Sequence, residues 1–482
     1  MDRSRLNILQ VSTFDAYGGA EKVAWDLFQE YLARGHGSWL AVGRKRTSHP
    51  RVLRLENDSA PGAWRRFWWR AHDRSQRFYG RWWGTRLCRM THRLAEPVGA
   101  LDAFRGLEDF HYPGTRRLPE MTPERPNIVH GHNLHARYFD LRVLPWLSRQ
   151  VPVVLTLHDA WLTTGHCAHS FDCVRWQTGC GRCPDLRIYP AIRRDATAAN
   201  WRRKRDIYAA SRLYVATPCR WLMDRVGRSM LAPAIVESRV IPYGVDVSVF
   251  RVADRAAARA DLGIPPHSDV LLFAASGVRT NLWKDYDTMR GALVRLAERS
   301  GGRPLLLLAL GEAAPAERVG RAEIRFVPYQ SDPEVVARHY QAADVYVHAA
   351  RVDTFPNTVL EALACGVPVV ATAVGGIPEQ VKSLPPPGRR SLGLRSIHGP
   401  ADATGILVPC GDTESMAAAV DQLLSDAGLR RRLAESAAAD ARHRFSLDRE
   451  ADDYLAWYYR LLGTGSADGA APGRRVTAGA PA

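Results

Sequence analysis

DVYVHAARVDTFPNTVLEALACGVPVVATAVGGIPE, residues 344–379, decides the fold. DVYVHAA (344–350) and VPVVATA (367–373) are short apolar runs, the pattern of strands buried on both faces. Between them, Pro356 stops the first strand region, Asn357 is placed to cap a helix, and Gly366 ends that helix. Strand, loop, helix, strand is the repeating unit of a parallel sheet covered by helices. The free N–H groups of such a helix start form an anion site. Glu361 falls inside the helix, where a carboxylate can accept hydrogen bonds from two ribose hydroxyls. On this helix alone, an ordinary helix with a solvated glutamate is the simpler reading.

Further runs of the same kind surround this block. DVLLFAASG (269–277), PLLLLALG (304–311), EIRFVP (323–328) and GILVP (405–409) make one series. An earlier series holds LNILQVS (6–12), SWLAVG (38–43), NIVHGH (127–132) and VPVVLTLH (151–158). The first of these ends at Gly18-Gly19 and is followed by AEKVAWDLFQEYLARG, which has helical spacing and closes at Gly35. Two α/β series predict two Rossmann-like, doubly wound domains facing across a cleft. Residues 1–241 and 242–446 are the expected halves, joined near Pro242-Tyr243-Gly244. Segment 383–404 reads as an exposed loop and 463–482, rich in Gly and Ala, as a disordered tail.

Composition sets outer limits. A chain of 482 residues is too long for one core and predicts two to three domains. Hydrophobic residues at 46% and charged residues at 24% exclude a disordered, collagenous or membrane-embedded chain. The formal net charge of +16 implies an anionic partner. No apolar run reaches the roughly 18 residues of a membrane span. The start, MDRSRLNILQVSTFD, reads as a first strand and not as a signal peptide, so a cytoplasmic location is expected.

Other candidate residues sit where an open α/β sheet places ligands, beyond the carboxyl ends of strands. Gly18 and Gly19 allow close backbone approach to an anion at a helix start. His158 ends VPVVLTL, and His132 is placed similarly at the end of NIVHGH. SGVRTNLWKDYDTM (276–289) follows a strand and offers Arg279 and Lys284. Its Asp285-Tyr-Asp287 matches a D-x-D metal motif, but acidic residues are favoured at a helix start anyway, and we read it as structural. Asp246 in IPYGVDVSVF is likewise read as structural. GxGxxG is absent from the glycine loop, so nicotinamide binding has no support.

The 353–379 block resembles the nucleotide-sugar site of the retaining, GT-B-fold glycosyltransferases of group 1, a family (family 4-like) that includes bacterial polysaccharide enzymes. Its hallmark is two glutamates separated by seven residues, matched here by Asp353 and Glu361. Asp353 departs from the pattern by one methylene, which leaves the sugar less defined than the nucleotide. The resemblance implies that Glu361 holds the ribose, Arg279 and Lys284 the diphosphate, and Asp353 and His158 the donor sugar. Gly18, Gly19, Asn357, Thr358 and Val359 complete the implied donor site. It also implies that a helix over 447–462 returns to the first domain.

Two basic cations and a helix start can stabilise a departing nucleoside diphosphate without a metal, so no catalytic cofactor is expected. The implied donor is a UDP-, GDP- or ADP-sugar. Rival readings are an inactive scaffold on a membrane surface or nucleic acid, and an epimerase or phosphorylase on the same fold.

Two segments stand apart. Cys167, Cys173, Cys180 and Cys183 fall within 17 residues, inside an insert at 166–184 expected to shape the acceptor side. Cys180-Gly-Arg-Cys183 is half of a zinc knuckle, with His166 and His169 as further ligands, so a structural zinc is one expectation; reduced thiols or disulfides are the others. Residues 64–93 hold nine Arg and five Trp. Arg with Trp suits a lipid headgroup surface, and a glycan or lipid-linked acceptor is expected there. A solvated helix ranks second and nucleic acid last, since no nucleic-acid motif accompanies the segment.

Overall fold

The computed structural model describes residues 5–16, 18–57, 62–78, 81–299, 303–387, 398–399 and 401–463. The tail expected to be disordered lies outside these residues beyond Gly463, as does much of the loop expected at 383–404.

Among the described residues the first half is a parallel sheet of seven strands: β1 (Asn7–Phe14), β2 (Gly37–Arg44), β3 (Val52–Arg54), β4 (Ile128–Gly131), β5 (Val153–Thr156), β6 (Leu213–Thr217) and β7 (Ile235–Val240). Their order is β3-β2-β1-β4-β5-β6-β7. The second half contains β8 (Asp269–Ala274), β9 (Leu305–Leu310), β10 (Glu317–Val319), β11 (Ala322–Val327), β12 (Val345–His348), β13 (Val369–Thr372), β14 (Ser383–Leu384) and β15 (Gly405–Val408). The order there is β10-β11-β9-β8-β12-β13-β15-β14, parallel except for β10 against β11. Central strands such as β5, β8 and β9 are buried along their whole length, which is why they read as continuous apolar runs. One core runs from the first sheet into the facing side of the second, through Leu155, Tyr243, Phe355 and Trp457. A second core lies under β9, β13 and the helices Tyr286–Arg299 and Thr413–Ser425.

The chain crosses between the halves twice, side by side. Val245, just past the Pro242-Tyr243-Gly244 junction, pairs in parallel with Ser446. Val245 N–H donates to Phe445 O at 2.7 Å, and Leu447 N–H donates to Val245 O at 3.1 Å. A Cβ on Gly244 would stand 2.5 Å from Leu447 Cα, so glycine is what lets the two segments run this close. Ser446 then caps the helix Leu447–Leu461, which packs on the helix Gly19–Ala33 of the first half. Arg34 anchors the contact through Asp448 and Asp452.

Glu450 is buried in that crossing and accepts Gly244 N–H at 2.7 Å. Burial raises its pKa from 4.5 to about 8, against the opposing effects of Arg449 and that hydrogen bond. Between those two pH values the folded chain keeps a proton that the unfolded chain has released, so stability falls as pH rises through the window. Glu450→Gln removes this slope. In thermal melts it should exceed the wild type by several degrees at pH 8, with the difference vanishing toward pH 4.5.

Candidate active site

The second half builds its side of the cleft from loops that follow β8 and β12. Lys284 pairs in antiparallel fashion with Ala350, and Trp283 O accepts Arg351 N–H at 2.9 Å, so the two loops are stitched together. Lys284 Nζ thereby reaches Asp353 Oδ2 at 2.5 Å and lies 3.1 Å from His348 Nε2. His348 Nε2 is 3.2 Å from Asp353 Oδ2, and its Nδ1 is 3.1 Å from the Tyr346 hydroxyl. A neutral ring with Nε2–H donating to Asp353 and Nδ1 accepting from Tyr346 satisfies both partners. Burial, then Lys284, pushes the His348 pKa down to about 4, which keeps it neutral. Burial works to raise the Asp353 pKa, but Lys284 and His348 outweigh it and hold the carboxyl well below its usual range.

The helix Asn357–Ala364 begins beside this pair. Pro356, not Asn357, occupies the cap position, and no side chain caps the helix. Val359 N–H already donates to Pro356 O at 3.2 Å, which takes Val359 out of the expected set of free donors and leaves the earlier N–H groups of Asn357 and Thr358. Asn357 instead crosses the cleft: its Nδ2 donates to Gly19 O at 3.1 Å, while its Oδ1 is buried without a partner among the described residues. Gly18 adopts φ 110, and a Cβ there would lie 2.2 Å from the Glu21 carboxylate, so the loop requires glycine. Glu361 is buried inside the helix, accepts the Tyr340 hydroxyl at 2.9 Å, and has its pKa raised by burial despite Lys22 nearby. Arg279 is half-exposed and tied to Glu312 at 2.7 Å, with its guanidinium 4.9 Å from the Phe326 ring centre. A diphosphate would compete with Glu312 for it.

The first half faces this with a buried polar chain. Tyr243 OH lies 2.6 Å from His158 Nδ1, His158 Nε2 lies 2.9 Å from His132 Nδ1, and His132 Nε2 lies 2.8 Å from Gln10 Oε1. Burial lowers the His158 pKa to about 3 and that of His132 well below its ordinary value, so both rings are neutral. Both ring nitrogens of His158 are thus engaged within the protein. A parallel chain runs from Tyr454 through Thr156 and His130 to Tyr458, with contacts of 2.6 to 2.7 Å. The returning helix supplies both tyrosines.

Glu379 closes the far end of the cleft, accepting the N–H groups of Arg220 and Trp221 at 2.8 Å each. It caps the first-half helix Arg220–Gly227 from the other domain. Gly375 packs so tightly on Asp353 that a Cβ would stand 1.7 Å from the Asp353 carbonyl oxygen.

A family model described as glycosyl transferases group 1 matches residues 255–440. The D-inositol 3-phosphate glycosyltransferase of Mycobacteroides abscessus is 31% identical over 365 residues, covering 73% of this chain and 69% of that protein. The chain belongs to the group 1 glycosyltransferases. The protein of the same description from Actinosynnema mirum is 29% identical over 384 residues, covering 74% of this chain and 79% of its own. Among solved structures, HepE of Anabaena in complex with UDP and glucose superposes with a TM-score of 0.61 at 15% identity, over 95% of this chain and 100% of that one. At that identity the likeness establishes the fold alone: GT-B, two Rossmann-like domains.

The structure therefore gathers Gly18, Gly19, Lys284, Asp353, Asn357 and Thr358 at the mouth of this glycosyltransferase's cleft, with Arg279 at one side and Glu361 deeper. Sequence reading missed His348, Tyr346, Tyr340 and Tyr243, which hold the expected residues in place. His166 Nε2 lies 3.3 Å from Cys183 Sγ, yet among the described residues no group of three or more His, Cys, Asp or Glu assembles as a metal cage. Cys167, Cys173, Cys180 and Cys183 stand as free thiols, and burial pushes the Cys167 pKa up to about 12.

Lys284→Ala should lower turnover at least about tenfold, since it removes a fixed cation from the developing charge. An unchanged circular dichroism spectrum alongside that loss is the expected outcome.

Proposed function

We propose that this group 1 glycosyltransferase moves a sugar from a UDP-, GDP- or ADP-sugar to a glycan or lipid-linked acceptor, with retention of configuration. The observation that carries the reading is the Lys284–Asp353 pair beside the uncapped start of the Asn357–Ala364 helix, facing the glycine loop of the other half. Breaking the glycosidic bond to a nucleoside diphosphate puts negative charge on the leaving oxygen. Lys284, Arg279 and the helix N–H groups supply positive potential there without reorganising. Glu361 accepts from the ribose hydroxyls, Asp353 meets the donor sugar, and His158 lines the same side. The departing phosphate oxygen takes the acceptor's proton as the new bond forms on the face the diphosphate leaves. The protein then aligns the reactants and needs no dedicated base.

The acceptor assignment rests on the first half. Two helices, Ala63–Ser75 and Trp82–Ala95, pack on each other. Trp64, Phe67, Trp82 and Trp83 remain exposed. Arg86, Arg89 and Arg93 line, with Met90 and Leu94, a groove of about 490 Å³. Guanidinium groups beside exposed indoles match an anionic lipid headgroup layer. Among the described residues no helix is long and apolar enough to cross a membrane.

Isothermal calorimetry with UDP, GDP and ADP should find one that binds; folded protein that binds none of the three would end this reading. The full chain should also sediment with phosphatidylglycerol vesicles and not with phosphatidylcholine vesicles. Arg86→Glu combined with Arg89→Glu should release it while nucleotide binding is retained.

A further inference from the structure

The insert between β5 and β6 does more than cover the first half. Its tip reaches the loop that carries Lys284. The His169 ring lies 4.9 Å from that of Trp283, and Phe171 stacks on the same indole at 5.7 Å and 24°. Phe171 holds φ 45, a left-handed backbone that a bulky residue rarely adopts. Arg225 braces the tip, stacking over Trp176 at 4.6 Å and donating to the Ser170 hydroxyl. Trp283 immediately precedes Lys284, so the insert grips the segment that places the cation.

The Nδ1 atom of His169 is buried and has no hydrogen-bond partner among the described residues. Asp159 and Arg225 from the first half and Asp353 and Lys284 from the second act on the ring electrostatically. With its ring against Trp283, His169 sits beside the segment that carries the Lys284–Asp353 pair, where the donor sugar lies in the function proposed above. His158, on the same side, has both ring nitrogens engaged, so His169 is the imidazole with a nitrogen to offer. A buried polar atom left unpaired is costly, and a sugar hydroxyl can either donate to or accept from a neutral imidazole nitrogen.

We propose that His169 is a donor-contact residue whose Nδ1 hydrogen-bonds a hydroxyl of the glycosyl unit of the nucleotide sugar. The inference rests on the reading of the cleft as a nucleotide-sugar site and deepens it. The insert then belongs to the donor site and helps decide which sugar is accepted.

His169→Phe keeps an aromatic ring against Trp283 and removes both ring nitrogens. Wild type and variant are titrated calorimetrically with UDP, GDP and ADP, then with UDP-glucose, GDP-mannose and ADP-glucose. The variant should bind the preferred nucleoside diphosphate like the wild type and lose about tenfold in affinity for the matching nucleotide sugar, the size of one neutral hydrogen bond. His169→Asn, which sets an amide near the Nδ1 position, should recover part of that loss. Equal nucleotide-sugar affinity in wild type and His169→Phe overturns the assignment while leaving the donor site standing. A wild type that binds none of the six ligands brings down the donor-site reading and this inference with it. If His169→Phe does not fold, His169→Ala is read by the same two affinities.

Discussion

The second half's wall of the cleft depends on one ion pair. Lys284 and Asp353 come from different loops, each at the carboxyl end of its strand, and both are largely withdrawn from water. A charge in that position needs its partner, because neither group is well solvated alone. The pair therefore fixes the two loops relative to each other before any ligand arrives. His348, neutral and locked by Tyr346, sets the orientation of the carboxylate. Gly375 then allows the following turn to close directly on the Asp353 backbone. In the function proposed above, a preorganised cation at an open helix start stabilises the departing diphosphate.

Around that pair the two halves are joined by specific contacts as well as by apolar packing. Asn357 meets Gly19, Glu379 caps the helix Arg220–Gly227, and Tyr243 places its ring against Phe355 while its hydroxyl bonds His158. Each of these residues touches both the cleft wall and the opposite domain. The same side chains therefore both line the cleft and hold the two halves together in this structure.

Much of this was legible in the sequence because parallel strands buried on both faces leave unbroken apolar runs. The block 344–379 showed its strand, helix and strand, and its two carboxylates. β6 was missed because LYVAT is short and lies between helical stretches, and β7 because IVESRV alternates as a half-exposed edge strand does. Asn357 was expected to act locally as a cap. Its actual partner is 338 residues away, a relation no local pattern encodes. The same holds for Tyr243, Tyr454 and Tyr458, whose hydroxyls matter only once a helix from the chain's end lies against the first sheet.

The paired crossing at Val245 and Ser446 has a mechanical result. Two adjacent tethers joined by backbone hydrogen bonds act like a strip hinge. They permit rotation about the line they share and resist sliding or twisting of one half over the other. Since the last helix stays bolted to the first sheet, the swinging body is the block from about residue 246 to 445, with Glu450 seated at the pivot.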